Sequence, residues 1–171
     1  MIPRTEFASP WSGLLKIISA VTTIIIVIVL GAVLQVLAGA KRVPFEHFRE
    51  VISAVVLFAP SVALLLTVRG YTLEGSHLKV KRLLWSTELS LSGLKSVEFD
   101  PKAVKGSLRL FGNGGFFSFS GIFRNKTLGN YRAWATNHNN AVILRFDAKT
   151  WVVTPEDPER FVQLLQEHLV V

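Results

Sequence analysis

The hydrophobic positions of this chain change period twice, and each change marks a new kind of element. From Ile17 to Ala40 they are continuous, with 24 residues free of formal charge, including Ile24-Ile25-Ile26-Val27-Ile28-Val29-Leu30. As a helix this stretch covers roughly 36 Å, enough to cross a bilayer with tilt. Its only polar side chains are Ser19, Thr22, Thr23 and Gln35, too few for the wet face of a soluble helix. Arg4 and Lys16 before the run and Ala38-Gly39-Ala40 at its end outline a cleavable signal. The run nevertheless exceeds the roughly 7 to 15 residues of a signal's apolar region.

A second run of 18 uncharged residues, Val51 to Val68, covers about 27 Å and carries Pro60 in its middle. A kink is predicted there, tolerable in lipid where a neighbouring helix satisfies the freed carbonyl. The two runs predict an antiparallel pair of transmembrane helices, 17–40 and 51–68, joined by an external loop 41–50 and preceded by a segment 1–16. Basic residues set the orientation. Arg4, Lys16, Arg69, Lys79, Lys81 and Arg82 outweigh Lys41, Arg42 and Arg49, so segment 1–16 and the domain 70–171 are expected on the cytoplasmic side.

After Arg69-Gly70 the apolar period becomes two, the mark of half-buried strands. Trp85, Thr87, Leu89 and Leu91 alternate with Ser86, Glu88, Ser90 and Ser92. Leu78 to Lys81, Val97 to Asp100 and Val142 to Asp147 alternate likewise, and Thr150 to Val153 is a further β-branched and aromatic run. Glu74-Gly75-Ser76, Ser92-Gly93 and Asn137-His138-Asn139-Asn140 read as turns, the last as a hairpin. Such short spacings predict an antiparallel meander, because parallel pairing calls for crossover helices that have no room. The period then becomes 3.6: Phe161, Leu164, Leu165, His168 and Leu169 share one helical face, with Thr154 as N-cap, Pro155 at the first helical position and Asp157 completing a capping box. The expected fold is α+β: a transmembrane helical hairpin, then an antiparallel sheet or partial barrel with a C-terminal amphipathic helix.

Composition narrows the chemistry. There is no cysteine, which excludes disulfides, thiolate nucleophiles and Cys-based metal sites. The net charge of +7 fits an anionic membrane surface better than nucleic acid, since no helix-turn-helix, RRM or zinc-finger spacing accompanies it. His47, His77, His138 and His168 lack metal-ligand spacing, no Gly-x-Ser-x-Gly occurs, and Glu156, Asp157 and Glu159 read as helix N-terminal charges. No catalytic residue, metal or cofactor is expected.

The least ordinary stretch lies between Gly106 and Gly129, with six glycines and five phenylalanines in 24 residues. Gly112, Gly114 and Gly115 permit tight turns and close backbone approach, and could present amides to an anion. One reading has Lys105, Arg109, Arg124 and Lys126 meeting lipid phosphates while Phe116, Phe117 and Phe119 enter the interfacial region. The plainer reading is a long β-hairpin whose phenylalanines fill the core, and it is the favoured one.

The run Lys105-Gly106-Ser107-Leu108-Arg109-Leu110-Phe111-Gly112-Asn113-Gly114-Gly115-Phe116 is followed by Gly121, by Leu128-Gly129-Asn130-Tyr131 and by Ala135-Thr136. With the ending Val153 to Phe161 it resembles the bacterial PH domain proteins, small prokaryotic membrane proteins. The resemblance covers about residues 70 to 170. It implies a pleckstrin-homology-like fold tethered by an N-terminal helical pair in a bacterial inner membrane, and it carries over no catalytic or lipid-binding residues. Two functions follow as expectations. The first, favoured because the tether already supplies membrane localisation, is a non-catalytic scaffold that binds another protein or itself. The second is a reader of anionic lipid.

Overall fold

The computed structural model describes residues 4–39, 54, 58 and 61–169. Helix α1, Gly13–Gly39, starts four residues before the expected span. Gly13–Val36 is long and apolar enough to cross a membrane, and an 18-residue stretch of it is only 6% buried. A core helix of a soluble protein would be mostly covered, so this apolar surface is left for another solvent. Residues 61–65 are helical. Loop 41–50 and most of the expected second span, with Pro60, lie outside the described residues.

The remainder forms two sheets and a terminal helix. The first sheet has the order β1-β2-β3-β4, from Thr5–Ala8, Gly70–Glu74, His77–Lys81 and Ser86–Ser90, all antiparallel. The second has the order β5-β9-β10-β8-β7-β6, from Leu94–Phe99, Val142–Phe146, Thr150–Val153, Gly129–Ala135, Phe119–Asn125 and Leu108–Gly114. Helix α2, Pro158–Leu169, closes the domain. The fold class is α+β, as the periodicities predict.

One core lies between the sheets, where Tyr71, Leu73, Leu78 and Val80 meet Trp134, Val142, Leu144 and Val153 under Phe161 and Leu165 of α2. A second core covers the opposite face of the larger sheet. It joins Phe119, Phe123, Tyr131, Ile143 and Val152 to Ala103 and Val104, and to Leu15 in the first turn of α1. Ile143 and Val152 are therefore as buried as their neighbours, and β9 and β10 are covered on both faces.

Three features depart from the reading of the sequence. Strand β1 precedes α1 and pairs with β2 from Thr5↔Leu73 to Ala8↔Gly70, so the sheet includes chain that lies well ahead of residue 70. Phe7 of β1 packs edge-on against Phe161 at 5.1 Å. The Asn137 to Asn140 segment is a short 3-10 turn and does not close a hairpin. The β9–β10 hairpin folds back so that β10 inserts between β9 and β8, running parallel to β8 with Val152 opposite Ala133. A parallel pair thus arises without a crossover helix.

The N-cap moves as well. Arg160 N–H donates to Asp157 Oδ1 at 3.0 Å and Phe161 N–H to Asp157 O, making Asp157 the cap and Pro158 the first helical residue. Thr154 is fully buried and its hydroxyl instead accepts from Thr136 N–H at 2.9 Å. It belongs to a polar knot in which Ser9 Oγ lies 2.7 Å from Thr136 Oγ1 and 3.2 Å from Tyr71 OH. Tyr71 OH also accepts from Thr154 N–H at 3.0 Å and donates to Trp134 O. Burial drives the tyrosine pKa upward, so the phenol stays a donor. On the helical stripe Phe161 and Leu165 are buried, while the side chains of His168 and Leu169 lie outside the described residues.

Candidate functional site

The glycine- and phenylalanine-rich stretch is a hairpin, with β6 paired to β7 from Leu108↔Arg124 to Gly114↔Phe119, but of its five phenylalanines only Phe119 and Phe123 are core residues. Its two strands approach unusually closely at Gly112↔Gly121, where a Cβ on Gly121 would lie 2.1 Å from Phe111 O. The tip, residues 115–118, rests against the base of α1. Phe117 N–H donates to Ser19 Oγ at 3.0 Å, and the Phe117 ring lies 5.8 Å from Trp11 and 4.2 Å from Phe116. Phe117 holds a φ of 64°, a strained angle for a phenylalanine, and this docking supplies a reason for it.

Of the glycines expected to present amides, Gly115 has its N–H committed within the tip. Gly115 N–H donates to Ser118 O and Asn113 Oδ1, and Phe116 N–H donates to Asn113 Oδ1 at 2.9 Å. Phe119 is a core residue, whereas Phe116 and Phe117 are half-buried beside the helix.

Of the basic residues of the stretch, Lys105 and Arg109 line one recess together with Gly114, whereas Arg124 and Lys126 are not among its lining residues. Arg124 lies opposite Leu108, at the end of the hairpin away from its tip. Lys126 and Lys105 belong to that end too, because Asn125 Nδ2 donates to Ala103 O at 2.7 Å and to Ser107 Oγ at 2.9 Å. Arg109 follows Leu108 and pairs with Phe123, so its backbone is at that end too, but its side chain reaches along the strand, donating to Gly112 O at 3.2 Å and packing over Gly114.

Two recesses flank the hairpin. One, of about 490 Å³, lies on the second-core side between loop 104–107 and strands β7 and β8, rimmed by Lys105, Arg109, Tyr131 and His138. Tyr131 OH donates to Ser107 Oγ at 2.7 Å, and the His138 ring lies 4.2 Å from Phe119. Burial holds the His138 imidazole below the usual histidine range. The unfolded chain then takes up the proton more readily, so stability should fall as pH drops from about 6.5 through the lower folded-state value, and be unaffected above it. Melting temperatures of the wild type and of His138→Gln between pH 7.5 and 5 check this. The variant should show a shallower decline, and parallel declines would remove His138 as the cause.

The other recess, of about 650 Å³, lies on the opposite face of the hairpin, beneath Val62, Ala63 and Leu66. Arg82, Arg109 and Arg132 line it, with Phe111, Ile122 and Trp134 as apolar walls. Arg82 Nη1 donates to Leu66 O, and its Nε to Thr87 Oγ1 at 3.4 Å. Burial first, and then the charge of Arg132, lower the Arg82 pKa. Arg132 lies 5.0 Å over the Trp134 ring. Neither Arg82 nor Arg132 stands out in the sequence as a site residue, although alternation in Arg132-Ala133-Trp134 does assign Arg132 and Trp134 to one face. Their meeting depends on β3 and β8, which belong to different sheets.

The family model described as bacterial PH domain matches residues 69–169. No curated protein and no solved structure matches the chain.

Proposed function

The chain belongs to the bacterial PH domain family, and on that premise we propose that it is a non-catalytic interaction domain anchored on the cytoplasmic face of the inner membrane, holding a protein partner by strand addition at β6. The family is typically a non-catalytic interaction domain. Pairing of β1 with β2 keeps residues 5–8 and 70–74 on one side of any membrane that α1 crosses. A second crossing by the expected span at 51–68 would return the chain to that side. Cleavage after Ala40 would remove β1 and Leu15 from the domain, which favours a retained anchor over a signal.

The observation that carries the partner is the β6 edge. β6 ends its sheet and leaves Leu108, Leu110 and Phe111 exposed, Phe111 at 75%. Unpaired edges with apolar side chains recruit extended segments. Because its tip meets the base of α1, β6 runs away from the membrane, and two anchored copies would bring their β6 edges together in parallel, the weaker pairing. A partner's free segment can run antiparallel.

The cysteine-free chain allows a clean test. With Lys105→Cys beside β6, a maleimide carrying a photoreactive benzophenone, which inserts into C–H bonds of any neighbour, should in native membranes join the chain to a second protein. The added pair Leu108→Lys and Leu110→Lys should cut the adduct at least tenfold, and the exposed Asp147→Cys should give none. An adduct of twice the chain's own mass would favour self-association, and equal adducts from both cysteines would defeat the proposal.

A further inference from the structure

The recess beneath Leu66 has the make-up of a headgroup site, and we propose that it binds one anionic phospholipid of the surrounding bilayer, its phosphate held between Arg82 and Arg132. This rests on the anchored reading above and adds a ligand to it. The recess is lined by three arginines and no carboxylate. Among the described residues none of the three makes an ion pair, whereas Lys79, Lys81 and Arg145 on nearby strands all do. Arg82 is half-buried and held in place by backbone and hydroxyl acceptors that leave its charge uncompensated. Arg132, an exposed residue, lines the same recess, so two like charges face one opening. A phosphate between them supplies the missing counter-charge and accepts the planar donor forks that arginine offers.

The surroundings specify a lipid over a soluble anion. Val62, Ala63 and Leu66 form one wall and Phe111, Ile122 and Phe116 another, so the cationic floor is approached between apolar surfaces suited to a glycerol backbone and the start of acyl chains. Phe116 stacks on Phe117, which bonds the α1 base at Ser19. The turn between β3 and β4, which carries Arg82, leaves Leu83, Leu84 and Trp85 exposed, Leu84 at 74%. Its ladder end pairs Lys81 with Gly70, directly after residues 61–69. Both apolar tips therefore stand where the helical segments join the domain, the level of headgroups, with the recess between them. A headgroup amine would meet three cations there, so the site selects phosphate without amine.

The test uses the full chain, delipidated in detergent and titrated with phosphatidylglycerol, phosphatidylcholine or glycerol phosphate, with bound lipid read by native mass spectrometry. One phosphatidylglycerol should be retained at least tenfold more tightly than phosphatidylcholine, and glycerol phosphate should not compete at equal concentration. Arg82→Gln with Arg132→Gln should weaken retention at least tenfold. Arg132→Gln alone, which removes none of the backbone bonds made by Arg82, should weaken it severalfold. Arg124→Gln with Lys126→Gln, at the far end of the hairpin, should leave it unchanged. Equal loss in the far-end variant would reduce the effect to bulk charge, and equal binding of glycerol phosphate would make the recess a soluble-anion site; either overturns the proposal. The β6 adduct is read in the same Arg82 and Arg132 variant: if it persists while wild-type chain shows no lipid preference, the lipid site fails and the scaffold stands. If wild-type chain is extracted from membranes by alkaline carbonate, the anchored reading fails.

Discussion

Gly121→Ala should destabilise the domain by about 3–5 kcal/mol, a large part of the roughly 5–15 kcal/mol by which ordinary domains are stable. The φ of Gly121 is +149°, which side chains rarely adopt, and an added Cβ would lie 2.1 Å from Phe111 O and 2.9 Å from Gly112 Cα. Both obstacles are backbone, so relief requires the two strands to separate. The facing Gly112, with φ +103° and 2.3 Å from a new Cβ to Ser120 O, closes the hairpin from the other side. Gly93 is the control. Its φ of +75° is also left-handed, but nothing lies within 4 Å of an added Cβ, so alanine there should cost only the backbone strain, about 1 kcal/mol. Chemical denaturation of the two variants separates close approach from conformational strain, and equal midpoints would mean that the hairpin opens freely. Opening it would also withdraw Phe117 from Ser19 and remove the floor of the arginine recess, so lipid retention should fall with stability in Gly121→Ala.

The second large effect concerns the boundary of the folding unit. Residues 69–169, the part that matches the family, should be less stable alone by about 3–5 kcal/mol than the same part carrying residues 4–12 on a flexible linker. Losing β1 exposes Phe161, against which Phe7 packs, worth roughly 2 kcal/mol of apolar burial. It also strips Ser9 from the buried knot of Tyr71, Thr136 and Thr154, at about 1 kcal/mol for each hydrogen bond lost. For a domain of this size the difference corresponds to roughly 10 to 20 °C or more in melting temperature. Indistinguishable melting curves would show β1 to be a dispensable edge. If the shift is found, the anchor and the domain are one cooperative structure, because the strand that completes the sheet leads directly into α1.

Much of this was legible from periodicity, which is a local property. Continuous apolar residues mark α1, alternation marks β3, β4, β5 and β9, and the 3.6-residue stripe marks α2, because a side chain's face follows from the backbone repeat alone. The helix start was misplaced for an equally local reason. Thr154-Pro155 and Asp157-Pro158 are both plausible caps, and the choice between them was made by Thr136 and Tyr71, which occupy the Thr154 hydroxyl.

The candidate site was only partly legible. Of Lys105, Arg109, Arg124 and Lys126, which are near one another in sequence, the first two line the recess beside β7 and β8, while Arg124 sits opposite Leu108 and is not among that recess's lining residues. Arg82 and Arg132 are fifty residues apart and carry no motif, and only the facing of two sheets brings them to one recess.

By itself the sequence determined the apolar helix α1, the alternating strands β3, β4, β5 and β9, the glycine-rich hairpin and the terminal helix, since these depend on neighbours within a few residues. The tertiary structure alone decided that four residues ahead of α1 complete a sheet with residues 70–74, that β10 inserts between β9 and β8, and which arginines share a pocket. Strand partners and facing surfaces are chosen by burial and backbone hydrogen bonding across long separations, and no local pattern encodes which distant edge will be free to accept them.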